Sequence, residues 1–119
     1  MRMSDHDGVG VAELTNDDFR DPNQLEDAFQ GLMHDLPKRR LVVDLSKVES
    51  IMSLGVAVLV AAQGLALIHK TKIAFAGTQH GVRKILALCG ADKAIDLHET
   101  VDGAILALTA SKRRKAVGH

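Results

Sequence analysis

The segment LVVDLSKVESIMSLGVAVLVAAQGLALI, residues 41–68, joins a β-branched run to a long apolar stretch. Its first five residues are largely apolar without alternation, which is typical of a central strand covered on both faces. The following stretch predicts a helix over Ser53–His69, and residues 54–68 contain no charged side chain. Ser53 therefore places a hydroxyl where this helix begins. Its oxygen can cap the helix, and a phosphate on it would meet unpaired backbone N–H groups and the positive end of the helix dipole.

Strand and helix signals alternate on both sides of this segment. Further strands are predicted at Val9–Leu14, Lys72–Ala76 and Ala94–Leu97. Helical connections between strands imply parallel neighbours. We therefore expect one α/β domain over residues 9–110, with a mostly parallel sheet of about four strands and about four helices. Residues 1–8 are expected to form an N-terminal tail and residues 111–119 a basic C-terminal tail.

The helices other than the central one have recognisable ends. After a polar loop at Asn16–Asp21, the first helix should begin with Asp21 as N-cap and Pro22 at its first position. Pro37 should stop this helix, because proline disfavours the helical conformation of the residue before it. The candidate caps of the later helices are Thr78, Gly90 and Thr100.

Composition and charge exclude several functional classes. Trp and Tyr are absent and Phe occurs three times, so the core is expected to be aliphatic. The chain therefore has few aromatic side chains that could stack on nucleic-acid bases. The formal net charge of +0 gives no global attraction to nucleic acid or anionic lipid. The basic cluster Lys112–Lys115 is typical of a solvated, mobile end. Cys89 is the only cysteine and the N-terminus lacks a signal peptide core, so we expect a cytoplasmic protein.

The apolar stretch of residues 51–68 is just long enough to raise the question of a membrane span. Ser53, Gly55, Gln63 and Gly64 interrupt it, and the chain then continues with the spacing of a compact α/β domain, so we expect no spanning helix. A helix that is apolar almost all round needs cover on more than one face. We therefore expect an exposed apolar patch that binds a protein partner or a second copy of the chain.

Patterns typical of catalysis, cofactors and metals are scarce. Gly8 and Gly10 lack the third glycine and the strand-then-helix context of a dinucleotide site. None of the six histidines pairs with another histidine or a cysteine at a metal-ligand spacing. Cys89 is expected in the core, and Asp44 is expected to hydrogen-bond loop amides rather than act with Ser46 in catalysis. We expect no enzymatic activity, no cofactor and no metal.

Several motifs in this order resemble those of the STAS domain family, the sulfate transporter and anti-sigma-factor antagonist group. The similar pieces are Leu41–Ser46, Ile51–Leu59, Val82–Leu86, Cys89–Lys93 and Asp102–Ile105. The resemblance covers roughly residues 8–110, and its specificity lies in the order and spacing of the pieces.

The resemblance implies a non-catalytic regulatory domain that acts by partner switching. In the antagonist branch, a serine at the start of the second helix is phosphorylated by a kinase-like ATPase that is also the anti-sigma factor, and a phosphatase restores it. By position this serine is Ser53, and Met52, Leu54, Gly55 and Val56 are the candidate partner contacts with it. The family usually has an acidic residue before the serine and a small hydroxyl residue after it, where Met52 and Leu54 stand here. Ser53 is thus a candidate phosphorylation site or only an N-cap.

A second branch of the family implies another function, that of a STAS subunit in a membrane transport complex for lipids or anions. The family also commonly has a strand before the one predicted at Val9–Leu14, and residues 1–8 look too short and polar to supply it. We expect the open edge of Val9–Leu14 to be shielded by residues 1–8 folding back or paired with a second copy of the chain.

Overall fold

The structure, a computed structural model, describes residues 1–35 and 39–118, with side chains up to residue 109. Within this part of the chain, one sheet holds five strands in chain order: β1 (Arg2–His6), β2 (Val9–Thr15), β3 (Arg40–Lys47), β4 (Lys72–Ala76) and β5 (Leu97–His98). Strands β2 to β5 are parallel, and β1 is antiparallel to β2. The predicted α/β fold with a mostly parallel sheet is confirmed.

The helices cover both faces of the sheet. They are α1 (Pro22–Asp35), α2 (Ser53–His69), α3 (His80–Leu88) and α4 (Val101–Gly118). Helices α1, α2 and α3 share one face, where Phe29 and Phe75 are the largest fully buried side chains. Helix α4 packs on the opposite face through Ala104 and Leu108. Its backbone continues through most of the predicted C-terminal tail, residues 111–119, whose side chains lie outside the described ones.

The expectation that residues 1–8 form a tail and cannot supply a first strand is wrong. Arg2–His6 pairs with β2 through a tight hairpin at Asp7 and Gly8. Both turn residues have positive φ, 55° and 86°, as a two-residue hairpin turn of the type favoured by the Asp-Gly dipeptide requires. All five residues of β1 are exposed, so the strand lacks the alternation of buried and exposed residues from which a strand can be predicted. Of the two expected ways to cover the edge of β2, folding back is the observed one.

Two of the predicted helix starts are confirmed. The Asp21 carboxylate accepts hydrogen bonds from the backbone N–H groups of Asn23 and Gln24, at 3.2 and 3.3 Å. The Thr100 hydroxyl accepts one from the N–H of Gly103 at 2.9 Å. Both oxygens satisfy donors that have no partner inside their helix. Pro37, the predicted end of α1, lies outside the described residues.

The predicted start of α3 is wrong by one residue. Its N-cap is Gln79, and the hydroxyl of the predicted cap, Thr78, is buried without a hydrogen-bond partner among the described residues. The Gln79 side chain instead donates to the backbone oxygen of Ser46 at 2.9 Å. This contact joins the loops after β3 and β4, and local propensity at Thr78 cannot reveal it.

The chain after α3 also differs from the prediction. Gly90 adopts the left-handed conformation with a φ of 71°, as expected for the residue that ends a helix. Cys89 is exposed rather than in the core, and Ala91, which follows the turn, is buried. The last strand is Leu97–His98 and not Ala94–Leu97, because residues 91–93 form a short 3-10 helix first.

Candidate functional site

The loop between β3 and α2 is held by a side chain from a distant part of the chain. Asn16, which follows β2, accepts a hydrogen bond from the backbone N–H of Glu49 at 2.7 Å and donates one to the backbone oxygen of Ser50 at 3.0 Å. Val48 and Ile51 from the same loop are buried in the core. Because polar and apolar contacts both hold the loop, the start of α2 has a fixed position above the sheet.

Helix α2 begins without a side-chain cap. Its N-cap is Met52, whose backbone oxygen accepts the first helical hydrogen bond from Val56 at 3.0 Å, and its first turn holds no acidic residue. The prediction that Ser53 caps the helix is therefore wrong, because Ser53 is already the first helical residue. Among the described residues, no side chain accepts from the first N–H groups of α2, so this end keeps its positive partial charge.

Three consecutive side chains at this helix start, Met52, Ser53 and Leu54, point away from the core, and we call them the α2 tip. Met52 is 82% exposed and Leu54 is 68% exposed. Ser53, between them, is also exposed, and its hydroxyl makes no hydrogen bond to any described residue. The α2 tip thus presents two large apolar side chains around one free hydroxyl.

The next two residues are anchors rather than surface. Gly55 is buried, and a Cβ there would lie 2.8 Å from Cδ1 of Phe19 and 2.9 Å from Cγ1 of Ile51. Only glycine allows α2 to approach these side chains so closely. Val56 is 4% exposed and packs in the core. Val56 therefore presents almost no surface to a partner in this conformation, whereas Gly55 is buried by Phe19 and Ile51 but still lines the neighbouring cleft, and the expected partner contacts of both residues stay predictions.

A shallow cleft of about 250 Å³ lies beside the α2 tip. Phe19 and Arg20 line it from the segment that precedes α1, and Pro22 lines it from the first position of α1. The Arg20 guanidinium, 82% exposed, forms an ion pair with Asp17 at 3.2 Å and supplies a cation to the cleft. The sequence predicts Phe19 and Arg20 in a polar loop, and the aromatic side chain of Phe19 is the only local signal of a role for this loop.

The predicted exposed apolar patch on α2 is confirmed. At the far end of the helix from the α2 tip, Leu67 is 77% exposed and Ile68 is 74% exposed. Between these ends, Ala57 and Gly64 are exposed and Ala61 is half-buried. The buried residues of α2 lie on the opposite side of the helix and pack against α1 and the sheet. One uncharged face of α2 therefore remains uncovered within the described chain.

The strand ends next to the site are joined by structural hydrogen bonds. The Asp44 carboxylate accepts from the backbone N–H of Ser46 at 2.9 Å, as predicted. Gly77, with a φ of 78°, lies so close that a Cβ there would be 3.1 Å from the same carboxylate oxygen. These contacts give Asp44 and Ser46 a structural role, which is to pack the loops after β3 and β4 against each other.

The described residues contain no group of three or more His, Cys, Asp or Glu side chains arranged to hold a metal ion. In the same part of the chain, no helix is both long enough and apolar enough to cross a bilayer.

Comparison with known proteins agrees with this geometry. The STAS_2 family, described as "Mlab, STAS domain", matches residues 12–110. A solved anti-sigma factor antagonist from Mycobacterium paratuberculosis is 32% identical, with 89% of this chain and 90% of that chain covered and a TM-score of 0.71. The serine-to-glutamate variant of RsbS from Moorella thermoacetica is 17% identical, covers 94% and 97% of the two chains, and has a TM-score of 0.80. The STAS domain of a SulP transporter from Vibrio cholerae is 16% identical, covers 92% and 88%, and has a TM-score of 0.72.

A comparison with curated protein sequences gave no match. The two solved structures of lower identity show the fold alone, whereas the family match spans most of the chain and the antagonist of 32% identity spans nearly all of it. STAS domains are generally non-catalytic regulatory domains. The resemblance found in the sequence is confirmed, and the chain belongs to the STAS domain family, with anti-sigma-factor antagonists among its structural relatives.

Proposed function

We propose that this protein is a non-catalytic switch that binds a protein partner through the α2 tip, in the manner of an anti-sigma-factor antagonist. The observation that carries the proposal is the exposure of Met52 and Leu54, 82% and 68%, around the free hydroxyl of Ser53. Large apolar side chains presented together on a fixed loop are typical of a protein interface. The partner is a kinase-like ATPase that acts as the anti-sigma factor and phosphorylates Ser53. A phosphatase removes this phosphate.

Phosphorylation of Ser53 would act through charge at this surface. A phosphate adds about −1.5 to −2 charges to a hydroxyl flanked by apolar side chains. Burying that charge against an apolar partner surface costs free energy unless it is paired. In the free protein the same phosphate is supported, because the start of α2 has unpaired N–H groups and Arg20 lines the neighbouring cleft. The modification therefore favours the free protein over the complex.

The decisive experiment compares three single variants in binding to the partner, first identified by pull-down and mass spectrometry. We expect Ser53→Glu to weaken binding at least about tenfold, or about 1.4 kcal/mol, and Ser53→Ala to bind like the wild type. Ser50→Glu is the matched control, because Ser50 is also exposed and only its backbone oxygen is bonded to Asn16. Equal affinities of Ser53→Glu and Ser53→Ala would show that no switch operates at this serine.

A STAS subunit of a membrane transport complex is the second candidate. It is favoured by the name of the matching family, "Mlab, STAS domain", and by the likeness to the SulP transporter domain. The same pull-down separates the two functions, because a kinase-like ATPase supports the switch and the subunits of a transport complex support assembly. For either function we infer a cytoplasmic location and no binding of nucleic acid, from the composition and the balanced charge.

A further inference from the structure

The last strand of the sheet covers only part of its neighbour. Strand β5 pairs with Phe75 and Ala76, the last two residues of β4, whereas β4 begins at Lys72. Within the described chain, the first part of β4 therefore has no strand beside it on the β5 side. An uncovered strand edge presents backbone N–H and C=O groups to whatever lies next to it.

Ile73 is the residue of β4 whose backbone groups face this gap. The N–H of Lys72 donates to the backbone oxygen of Arg39 at 2.8 Å, on the β3 side. The N–H of Phe75 donates to the backbone oxygen of Asp96 at 2.7 Å, on the β5 side. Because backbone groups of successive strand residues point to opposite edges, the N–H and C=O of Ile73 point the same way as those of Phe75. Ile73 is only 4% exposed, and no described residue is paired with it on that side.

The side chain of Gln63 keeps this gap open. If β5 began earlier in the chain, the N–H of Asp96 would donate to the C=O of Ile73. The side-chain oxygen of Gln63 accepts that N–H instead, at 3.2 Å. The residue before Asp96, Ile95, is buried in the core, so the chain leaves the sheet at this point. Backbone groups of a buried residue are rarely left without a partner, and this gap therefore has the chemistry of a binding site.

A cleft of about 470 Å³, which we call the β4 cleft, lies along this part of the sheet edge. Ala66 and Leu67 line it from α2, and Ala107 and Leu108 line it from α4. Since α2 and α4 pack on opposite faces of the sheet, the β4 cleft has an apolar wall on each face and the edge of Ile73 between them.

We propose that the β4 cleft binds an extended peptide segment of a partner protein as an added strand. One residue of the segment exchanges two backbone hydrogen bonds with Ile73, and the side chains on either side of it point in turn toward α2 and α4. The uncovered part of β4 is about 10 Å long, so about three residues of the segment make the contact.

The polar groups of the β4 cleft select this occupant. A purely apolar ligand leaves the N–H and C=O of Ile73 without partners, whereas a peptide backbone supplies an acceptor and a donor at strand spacing. The Asp96 carboxylate, 52% exposed, lies at the β5 end of the cleft, where it contacts Nε2 of His98 at 3.0 Å. A lysine or arginine of the segment complements this carboxylate. The segment therefore combines apolar residues with a basic one.

The β4 cleft and the α2 tip lie at opposite ends of α2. About 14 residues, or about 21 Å along the helix, separate Ser53 from Leu67. The segment and the partner proposed for the α2 tip can bind at the same time, and the inference does not depend on the proposed function.

Amide hydrogen exchange of the isotope-labelled full chain, followed by NMR, tests the unpaired edge. In the free protein, the amide of Ile73 should exchange at least about tenfold faster than those of Ala74 and Phe75, which are bonded within the sheet. Equal protection of the three amides would overturn the inference, because Ile73 would then have an internal partner.

The binding probe is the peptide Lys-Val-Leu-Val-Lys, acetylated and amidated at its ends. At about 1 mM it should slow exchange of the Ile73 amide at least about tenfold and leave the amides of the α2 tip unchanged. The same peptide with every amide N-methylated keeps its side chains but loses its donors, so it should give no protection. Failure of the first peptide to protect Ile73, or equal protection by both peptides, would overturn the added strand.

Two variants of α4 test where the peptide binds. Ala107→Phe fills the β4 cleft and should weaken binding of the peptide at least about tenfold. Leu106→Phe is the matched control, because Leu106 is 68% exposed and does not line the cleft, and it should bind like the wild type. Circular dichroism checks that both variants fold. Wild-type affinity in a folded Ala107→Phe variant would refute this site, whereas Ser53→Glu should bind the peptide normally whether or not the phosphorylation switch exists.

Discussion

The starts of α1 and α2 solve the same physical problem in different ways. At α1, the Asp21 carboxylate accepts two backbone hydrogen bonds, at 3.2 and 3.3 Å. At α2, Met52 stands in the equivalent position with an extended backbone but contributes no side-chain cap. A good cap contributes about 1 kcal/mol, so α2 begins without stabilisation that the fold uses elsewhere.

Packing replaces the missing cap at α2. The buried side chain of Ile51 and the close approach of the helix at Gly55 hold the helix start against the core, and Asn16 fixes the loop before it. Because these anchoring residues lie beneath the surface, the side chains of Met52 and Leu54 are not needed to hold the helix start. The difference shows that one helix start is built for stability, and the other presents a surface at some cost to stability.

The largest effect is expected where the α2 start is anchored. Gly55→Ala places a methyl group 2.8 Å from the Phe19 ring and should destabilise the protein by about 1–3 kcal/mol through overpacking. Gly64→Ala is the control on the same helix, because nothing lies within 4 Å of its added Cβ, and it should stabilise by about 0.5–1 kcal/mol. Urea unfolding measures both. Equal effects of the two variants would mean that the close approach at Gly55 does not anchor α2.

The capped helix start should respond less strongly. Asp21→Ala removes the acceptor of two N–H groups and should lower the unfolding free energy by about 1 kcal/mol. Asp21→Asn keeps a capping oxygen and should lose much less. If both variants were as stable as the wild type in urea unfolding, the contrast between the two helix starts would not be energetic.

The smallest effect is a gain at the uncapped helix start. Met52→Asp introduces a carboxylate where the backbone is already extended and the first N–H groups have no side-chain acceptor, so we expect about 0.5–1 kcal/mol of added stability. Met52→Ala tests whether removal of the exposed methionine alone explains the gain, and should be neutral. A loss of stability in Met52→Asp, measured by thermal unfolding, would show that a side-chain cap does not stabilise the start of α2.

Most of the fold could be predicted from local signals. The bounds of α2 and β4 agree with the prediction because an uncharged apolar run and a short strand between clear breaks leave little choice. Strand β1 was missed because none of its residues is buried, although the Asp7-Gly8 dipeptide is a local signal of a hairpin turn. The error at Thr78 has a tertiary cause, since the Gln79 side chain at the helix start bonds to the backbone oxygen of Ser46 across the fold.

Part of the geometry of the candidate site could be predicted from the sequence. Ser53 and its apolar neighbours Met52 and Leu54 are exposed at the helix start, but the sequence could not show which neighbours turn inward. Gly55 and Val56 face the core because of the rotation of α2 on the sheet, which is set by packing. The roles of Asn16 and Arg20 depend on residues more than thirty positions away in the chain, so no local pattern indicates them.

The two hydrogen bonds of Asn16 have a kinetic consequence. A loop that is already fixed needs no ordering when a partner arrives, so its conformational entropy is not lost on binding. Association should then follow single-step kinetics at about 10⁵–10⁷ M⁻¹ s⁻¹, with a rate linear in partner concentration. Modification of Ser53 would appear mainly as faster dissociation, and the residence time of the complex, more than its rate of formation, would carry the signal.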